Sequence, residues 1–161
     1  MNLRAAVAVL VALALGCGGG AESKPESRPP SDATPEVRPK RSGPEPEHIL
    51  LAHVLVAFQG TGTKATRTQA AAEKLAADIL ARARKGEDFN KLMRDFSDDQ
   101  GDGVYGLANH RVNPVGDEHE RRRMVAAFGD VGFQLEVGDV GMAAYDPVKS
   151  KYGWHIIKRL K

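Results

Sequence analysis

The sequence predicts an α+β domain in which the first and last strands pair at the centre of one sheet and helices fill the chain between them. Three observations carry this. Ala52-His53-Val54-Leu55-Val56, within the longer run from His48 to Phe58, is almost continuously apolar, as a strand covered on both faces is. Tyr152-Gly153-Trp154-His155-Ile156-Ile157 alternates, with Tyr152, Trp154 and Ile156 to one side and His155 and Ile157 to the other. Between them lie apolar stripes of helical period, bounded by capping residues and glycines. Each strand carries one histidine among large apolar neighbours, so pairing sets His53 and His155 side by side on one face. A single histidine in such a run is more often a core residue with satisfied nitrogens; the pair is what makes a candidate site.

The chain has 161 residues and a formal net charge of +2, with acids and bases interspersed. That pattern carries no electrostatic footprint for nucleic acid. One cysteine, Cys17, excludes an internal disulfide and a paired-cysteine zinc site. Chemistry falls to His, Asp, Tyr, Ser and apolar surface, and neither a metal nor an organic cofactor is implied.

Residues 1–16 read as a secretion signal: Arg4 supplies the positive start, and Ala5 to Leu15 is an unbroken apolar run, shorter than the roughly 20 residues of a membrane span. Gly16-Cys17 after that run resembles a bacterial lipoprotein signal, which implies lipidation at Cys17 and a membrane anchor of more than one acyl chain. Gly18 behind the cysteine, where Asp marks inner-membrane retention, leans toward the outer membrane of a Gram-negative envelope. Ordinary cleavage near Gly16, leaving a free thiol, is the alternative. Residues 17–47 form a linker holding seven of the nine prolines, too polar to offset the entropy of ordering and extended at about 3.1 Å per residue where polyproline II holds. The domain is then 48–161, a monomeric unit.

Within it, the first strand runs from His48 to Phe58 and a loop follows to Thr63. Thr66-Arg67-Thr68-Gln69 has capping-box spacing and opens a helix with Ala72, Leu75, Ala76, Ile79 and Ala83 as its buried stripe, closed by Lys85-Gly86. Asp88 caps a second helix that carries Phe89, Leu92, Met93 and Phe96 on one face. Ser97 to Gly103 is an acidic, glycine-rich loop. Asn109 to Arg123 is polar and irregular. Met124 to Phe128 reads as a short helix, Phe133 and Leu135 as core, and Val137-Gly138-Asp139-Val140 as a turn into a strand before the closing hairpin.

Taken in order, Ala52-His53-Val54-Leu55-Val56, Lys85-Gly86-Glu87-Asp88-Phe89, Phe96-Ser97-Asp98-Asp99, Met124-x-x-x-Phe128 and Gly153-x-His155-Ile156-Ile157 resemble the parvulin-type peptidyl-prolyl isomerases over the whole domain. The resemblance implies a four-stranded antiparallel sheet surrounded by helices. It implies catalytic positions at His53, Asp99 and His155, and a proline pocket of Met124 and Phe128. Tyr105, Ser150 and Tyr152 take further substrate-side positions. The chain departs from the family at Gly103-Val104-Tyr105-Gly106, where Tyr105 stands in a place usually held by Leu, and by an insertion before Met124.

The implied activity is cis–trans isomerisation of X-Pro bonds in unfolded or nascent exported proteins. The altered glycine loop and the insertion leave open a catalytically weak fold that binds extended chains as a chaperone. A hydrolase or metal enzyme built on His53, His155 and Asp99 is the remaining class, and no second acid or nucleophile accompanies that trio. Read singly, Met124 and Phe128 are core, Asp99 a turn residue, and Arg121-Arg122-Arg123 a solvated face.

Overall fold

The computed structural model describes residues 41–161. The expected signal segment, Cys17 and most of the linker lie outside them. The elements are β1 (His48–Val56), α1 (Gln69–Arg84), α2 (Phe89–Phe96), β2 (Val104–Ala108), β3 (His119–Glu120), a 3-10 turn (Arg121–Arg123), α3 (Ala126–Gln134), β4 (Val140–Ala143) and β5 (Trp154–Arg159). The sheet order is β3-β2-β1-β5-β4. Strands β2, β1, β5 and β4 form the expected four-stranded antiparallel sheet. A fifth, β3, comes from the inserted segment and adds in parallel to the β2 edge through Leu107–His119 and Ala108–Glu120. The insertion is therefore not irregular throughout: its return leg covers an otherwise unpaired edge.

β1 sits at the centre because both its faces are buried. Ala52, Val54 and Val56 pack with Trp154 and Ile156 under α1 and α2, against Ile79, Leu80 and Leu92. Ile49 and Leu51 pack on the opposite side with Leu107, Ile157 and the α3 residues Phe128, Val131 and Phe133. His53 and His155 lie on this second face, by the two-residue period of their strands. α3 approaches closely at Gly132, where an added Cβ would lie 2.4 Å from Leu51 Cδ1. Filling that space would cost about 1–3 kcal/mol of overpacking.

Several local expectations shift. α1 is capped by Thr68, whose side chain accepts from Ala71 N–H, and starts at Gln69. The capping box at Thr66 does not form, because Thr68 takes the N-cap and leaves Thr66 ahead of the helix; Arg67, between them, pairs with Asp98. Asp88 caps α2 as expected, accepting from Lys91 N–H. β1 ends at Val56, not Phe58, and β5 begins at Trp154, which leaves Tyr152 in the preceding turn. Met124 is not helical: it follows the 3-10 turn with extended backbone (φ −86°, ψ 166°), and α3 starts only at Ala126.

Residues 41–47, expected as the end of an extended linker, lie against the domain. Arg41 pairs with Glu136 at 3.1 Å. The Glu45 carboxylate accepts from Arg121 (2.6 Å), Gln134 (2.7 Å) and Asn109 (3.2 Å). Among the described residues, no helix is long and apolar enough to cross a membrane.

Candidate active site

The β1–β5 register pairs His53 with Ile157 and Leu55 with His155. The histidines are thus diagonal neighbours on one face, within reach of long side chains. Their rings stack with centroids 5.3 Å apart and 16° between planes, and their Nδ1 atoms are 3.2 Å apart. Both residues are only 4% exposed.

The third group arrives from the loop after α2, which is tied to β1 by its first two residues. Leu55 N–H donates to Ser97 Oγ at 3.1 Å, and Asp98 N–H donates to Leu55 C=O at 2.8 Å. Asp98 also accepts from Ala57 N–H at 2.8 Å and forms an ion pair with Arg67, which donates in turn to Ala57 C=O at 2.7 Å. These bonds bring Asp99 beside His53, whose Nε2–H donates to Asp99 Oδ2 at 2.8 Å. Tyr105 O–H donates to the same oxygen at 2.8 Å. Ser97, Asp98 and Arg67 are not among the expected site positions, although Ser97 and Asp98 lie in the matching segment Phe96-Ser97-Asp98-Asp99. Arg67 stands just ahead of a helix cap, where it reads equally well as a solvated first-turn residue.

Phe128 forms the floor. Its ring meets His53 at 5.1 Å and His155 at 5.6 Å, both edge-on, and Tyr105 at 6.1 Å. Met124 and Tyr105 pack on the same apolar cluster. Phe128 is 2% exposed, so it lies beneath this group rather than standing as an open wall. Ser150 is fully buried, and its hydroxyl donates to Gly153 C=O at 2.8 Å. It shapes the turn that launches β5. Tyr152 is 39% exposed, with Lys151 Nζ 5.0 Å above its ring. Of the expected positions, the structure gathers His53, Asp99, His155, Tyr105, Phe128 and Met124. It uses Ser150 to hold the turn and leaves Tyr152 at the surface.

A cleft of about 490 Å³ opens beside His53 and Asp99, lined also by Met93, Ser97, Gly101 and Val104. The hydrogen bond from His53, with a second from Tyr105, holds the Asp99 carboxyl well below the usual carboxylate range against the opposing effect of burial. Burial, reinforced by the Asp99 charge, pushes the Tyr105 phenol up to about 12. Burial also lowers His155 from 6.5 to about 3, and the neighbouring His53 acts in the same direction. Asp99 is therefore an anion, Tyr105 a permanent donor and His155 a neutral ring at neutral pH. Among the described residues, no group of three or more His, Cys, Asp or Glu side chains is placed to hold a metal ion.

An antiparallel β2-β1-β5-β4 sheet with helices on both faces and a histidine pair on its two central strands defines the parvulin class. The solution structure of TbPIN1 has this fold, with a TM-score of 0.54 at 24% identity, covering 71% of this chain and 98% of that one. The peptidyl-prolyl isomerase ESS1 from Candida albicans shares it at a TM-score of 0.53 and 19% identity, over 71% of this chain and 63% of that one. By sequence, the chain belongs to the family of the PPIC-type PPIase domain, which matches residues 37–161. It is 38% identical over 86 residues to the foldase protein PrsA of Geobacillus kaustophilus, covering 53% of this chain and 27% of that protein. It is 34% identical over 108 residues to the chaperone SurA of Chromohalobacter salexigens (67% and 21%). A parvulin-like PPIase of Rickettsia bellii is 32% identical over 117 residues (71% and 33%). The chain thus spans between about a fifth and a third of the length of these relatives.

Proposed function

We propose that the protein is a peptidyl-prolyl cis–trans isomerase that acts on X-Pro bonds of exported or envelope proteins and assists their folding. The observation that carries this is the bonded series Tyr105–Asp99–His53–His155, packed edge-on against Phe128. Rotation about a prolyl bond meets a barrier of about 18–20 kcal/mol, while the two end states differ by only about 0.5–1 kcal/mol. No bond is broken. The planar amide places negative charge on its oxygen, and the twisted amide withdraws it. An anion held beside that oxygen disfavours the planar form more than the twisted one, a difference that lowers the barrier. Asp99 is such an anion, and it cannot swing away while two donors grip it. Met124 and Phe128 supply a pliable and a flat apolar surface for the proline ring.

The relatives' names, foldase and chaperone, support an unfolded protein as client. The positive start, apolar run and Gly16-Cys17 support export and a lipid anchor at Cys17. The proposed setting is the periplasmic face of a Gram-negative envelope, with the domain as a monomer. A second reading, a chaperone that binds extended chains without accelerating rotation, is favoured by one observation: Phe128 is 2% exposed and must be uncovered before a ring can reach it.

Exchange NMR on a proline peptide, with the purified full chain added in catalytic amount, tests the proposal. Cis and trans resonances should exchange faster in its presence. Peptide binding without faster exchange would replace the isomerase with the chaperone.

A further inference from the structure

Tyr105 is placed to do more than line a pocket. It stands on β2 opposite Leu51 and so shares the face that carries His53. Its ring is wedged between His53 (5.4 Å), Phe128 (6.1 Å) and His119 of the inserted segment (6.0 Å). Its hydroxyl ends on Asp99 Oδ2, the oxygen that already accepts from His53 Nε2–H, and both bonds are 2.8 Å. Among the described residues the other oxygen, Oδ1, receives only a long 3.4 Å bond from Gly101 N–H. Gly101 is packed so closely here that an added Cβ would lie 3.0 Å from the Tyr105 hydroxyl and 3.7 Å from Asp99 Oδ2. The carboxylate is thus gripped at one oxygen by two donors, while the other carries a single long bond.

We propose that Tyr105 is a positioning residue: with His53 it holds Oδ2 of Asp99, so that Oδ1 is the oxygen presented to the substrate amide. This rests on the reading of Asp99 as the group that faces the turning carbonyl. The remaining charged or titratable groups around the pair are Arg94 from α2, Asp102 from the loop, His119 from β3 and His155 from β5, while α3 faces it with the apolar Phe128. None of these donates to Oδ2, so removal of the phenolic hydroxyl leaves His53 as the one donor on that oxygen, and the carboxylate is held less firmly. A hydrogen bond to a charged acceptor is strong enough for its removal to be felt at the group it holds.

The test uses the full chain with Tyr105→Phe, which keeps the ring, and with Gly101→Ala, which keeps both side chains but crowds the hydroxyl, its Cβ lying 3.0 Å away. Both should lower the cis–trans exchange rate of a bound proline peptide about tenfold and leave its dissociation constant within about twofold. Adding Tyr105→Phe to Asp99→Ala should change the rate no further, since the two residues act as one unit. Independently of activity, a ¹³C carboxyl titration should show the Asp99 midpoint rising by about one pH unit in Tyr105→Phe. An unchanged midpoint and rate in a folded Tyr105→Phe protein would overturn the proposal. So would equal, additive losses in the presence and absence of Asp99. If the wild type fails to accelerate exchange at all, the isomerase reading falls, and the carboxyl titration alone then decides whether Tyr105 governs Asp99.

Discussion

The Nδ1 atoms of His53 and His155 face each other at 3.2 Å across a diagonal of the β1–β5 pairing, and one of them must carry the shared proton. Asp99 is an acceptor, so His53 Nε2 bears hydrogen. For a neutral His53, Nδ1 is then bare and accepts from His155 Nδ1–H. His155 Nε2 is left deprotonated and buried, with no hydrogen-bond partner among the described residues. Charging His155 would put a proton there with nothing to receive it, in a dry site beside another imidazole. The order of protons along Tyr105–Asp99–His53–His155 thus follows from one acceptor at one end.

Stability should therefore fall on acidification. His155 is lowered in the folded protein from 6.5 to about 3. Its contribution is fully present above pH 6.5 and is lost as the pH falls from there toward 3, because the unfolded ring binds a proton that the folded ring refuses. The slope should be about 1 kcal/mol per pH unit in that window. Asp99, held low as well, adds to the loss below its ordinary value of 3.8. Urea melts across pH measure this, and His155→Leu should flatten the slope above pH 4.

No preference is expected for a phosphorylated residue before proline. Arg67, in the loop between β1 and α1, is committed to Asp98 and to Ala57 C=O. Phosphate recognition needs a cluster of free cationic donors. Peptides with and without phosphate should isomerise at similar rates, and a large advantage for the phosphopeptide would contradict this. Arg67→Ala should cost about 1–3 kcal/mol in stability, because it frees the loop that carries Asp99.

Gly153→Ala should be among the most damaging single substitutions. Gly153 has φ +139°, and an added Cβ would lie 2.2 Å from Val56 C=O, a backbone atom that cannot step aside. Strain and clash together should cost about 3 kcal/mol or more. The Ser150 hydroxyl bond to Gly153 C=O would be disturbed with it. The shift in urea midpoint is the measurement.

Binding and turnover should separate at Phe128 and Asp99. Phe128 is buried in the apolar cluster under the histidines, so Phe128→Ala should cost about 3–5 kcal/mol in stability and weaken peptide binding as well. Asp99→Ala should slow exchange with little change in affinity, as expected for an interaction made chiefly in the transition state. NMR line shapes on one peptide sample report both quantities.

Cys17→Ser should move the protein from the membrane fraction to the soluble periplasmic fraction. Soluble wild-type protein in the same fractionation would refute lipidation.

What the sequence determined by itself was local and periodic. The continuous apolar run of β1 and the alternation of β5 marked two strands that each hold one histidine among apolar neighbours, and the stretch Thr66 to Gln69 and Asp88 marked where helices begin. Such signals depend on a few neighbouring residues, so they survive without tertiary context. Only the tertiary structure decided the diagonal register that turns two histidines into a hydrogen-bonded pair, since a one-residue slip would reverse the face of every side chain. It alone placed the Tyr105 hydroxyl on Asp99, paired Arg67 with Asp98, and returned the insertion along β2 as a parallel strand. These contacts join residues far apart or across a loop, where charge and hydrogen-bond geometry choose among partners that periodicity cannot rank. Phe128 shows both sides of the division: its apolar character marked it as core or pocket, and burial beneath Tyr105 and the histidines came from how α3 docks through Gly132 against Leu51.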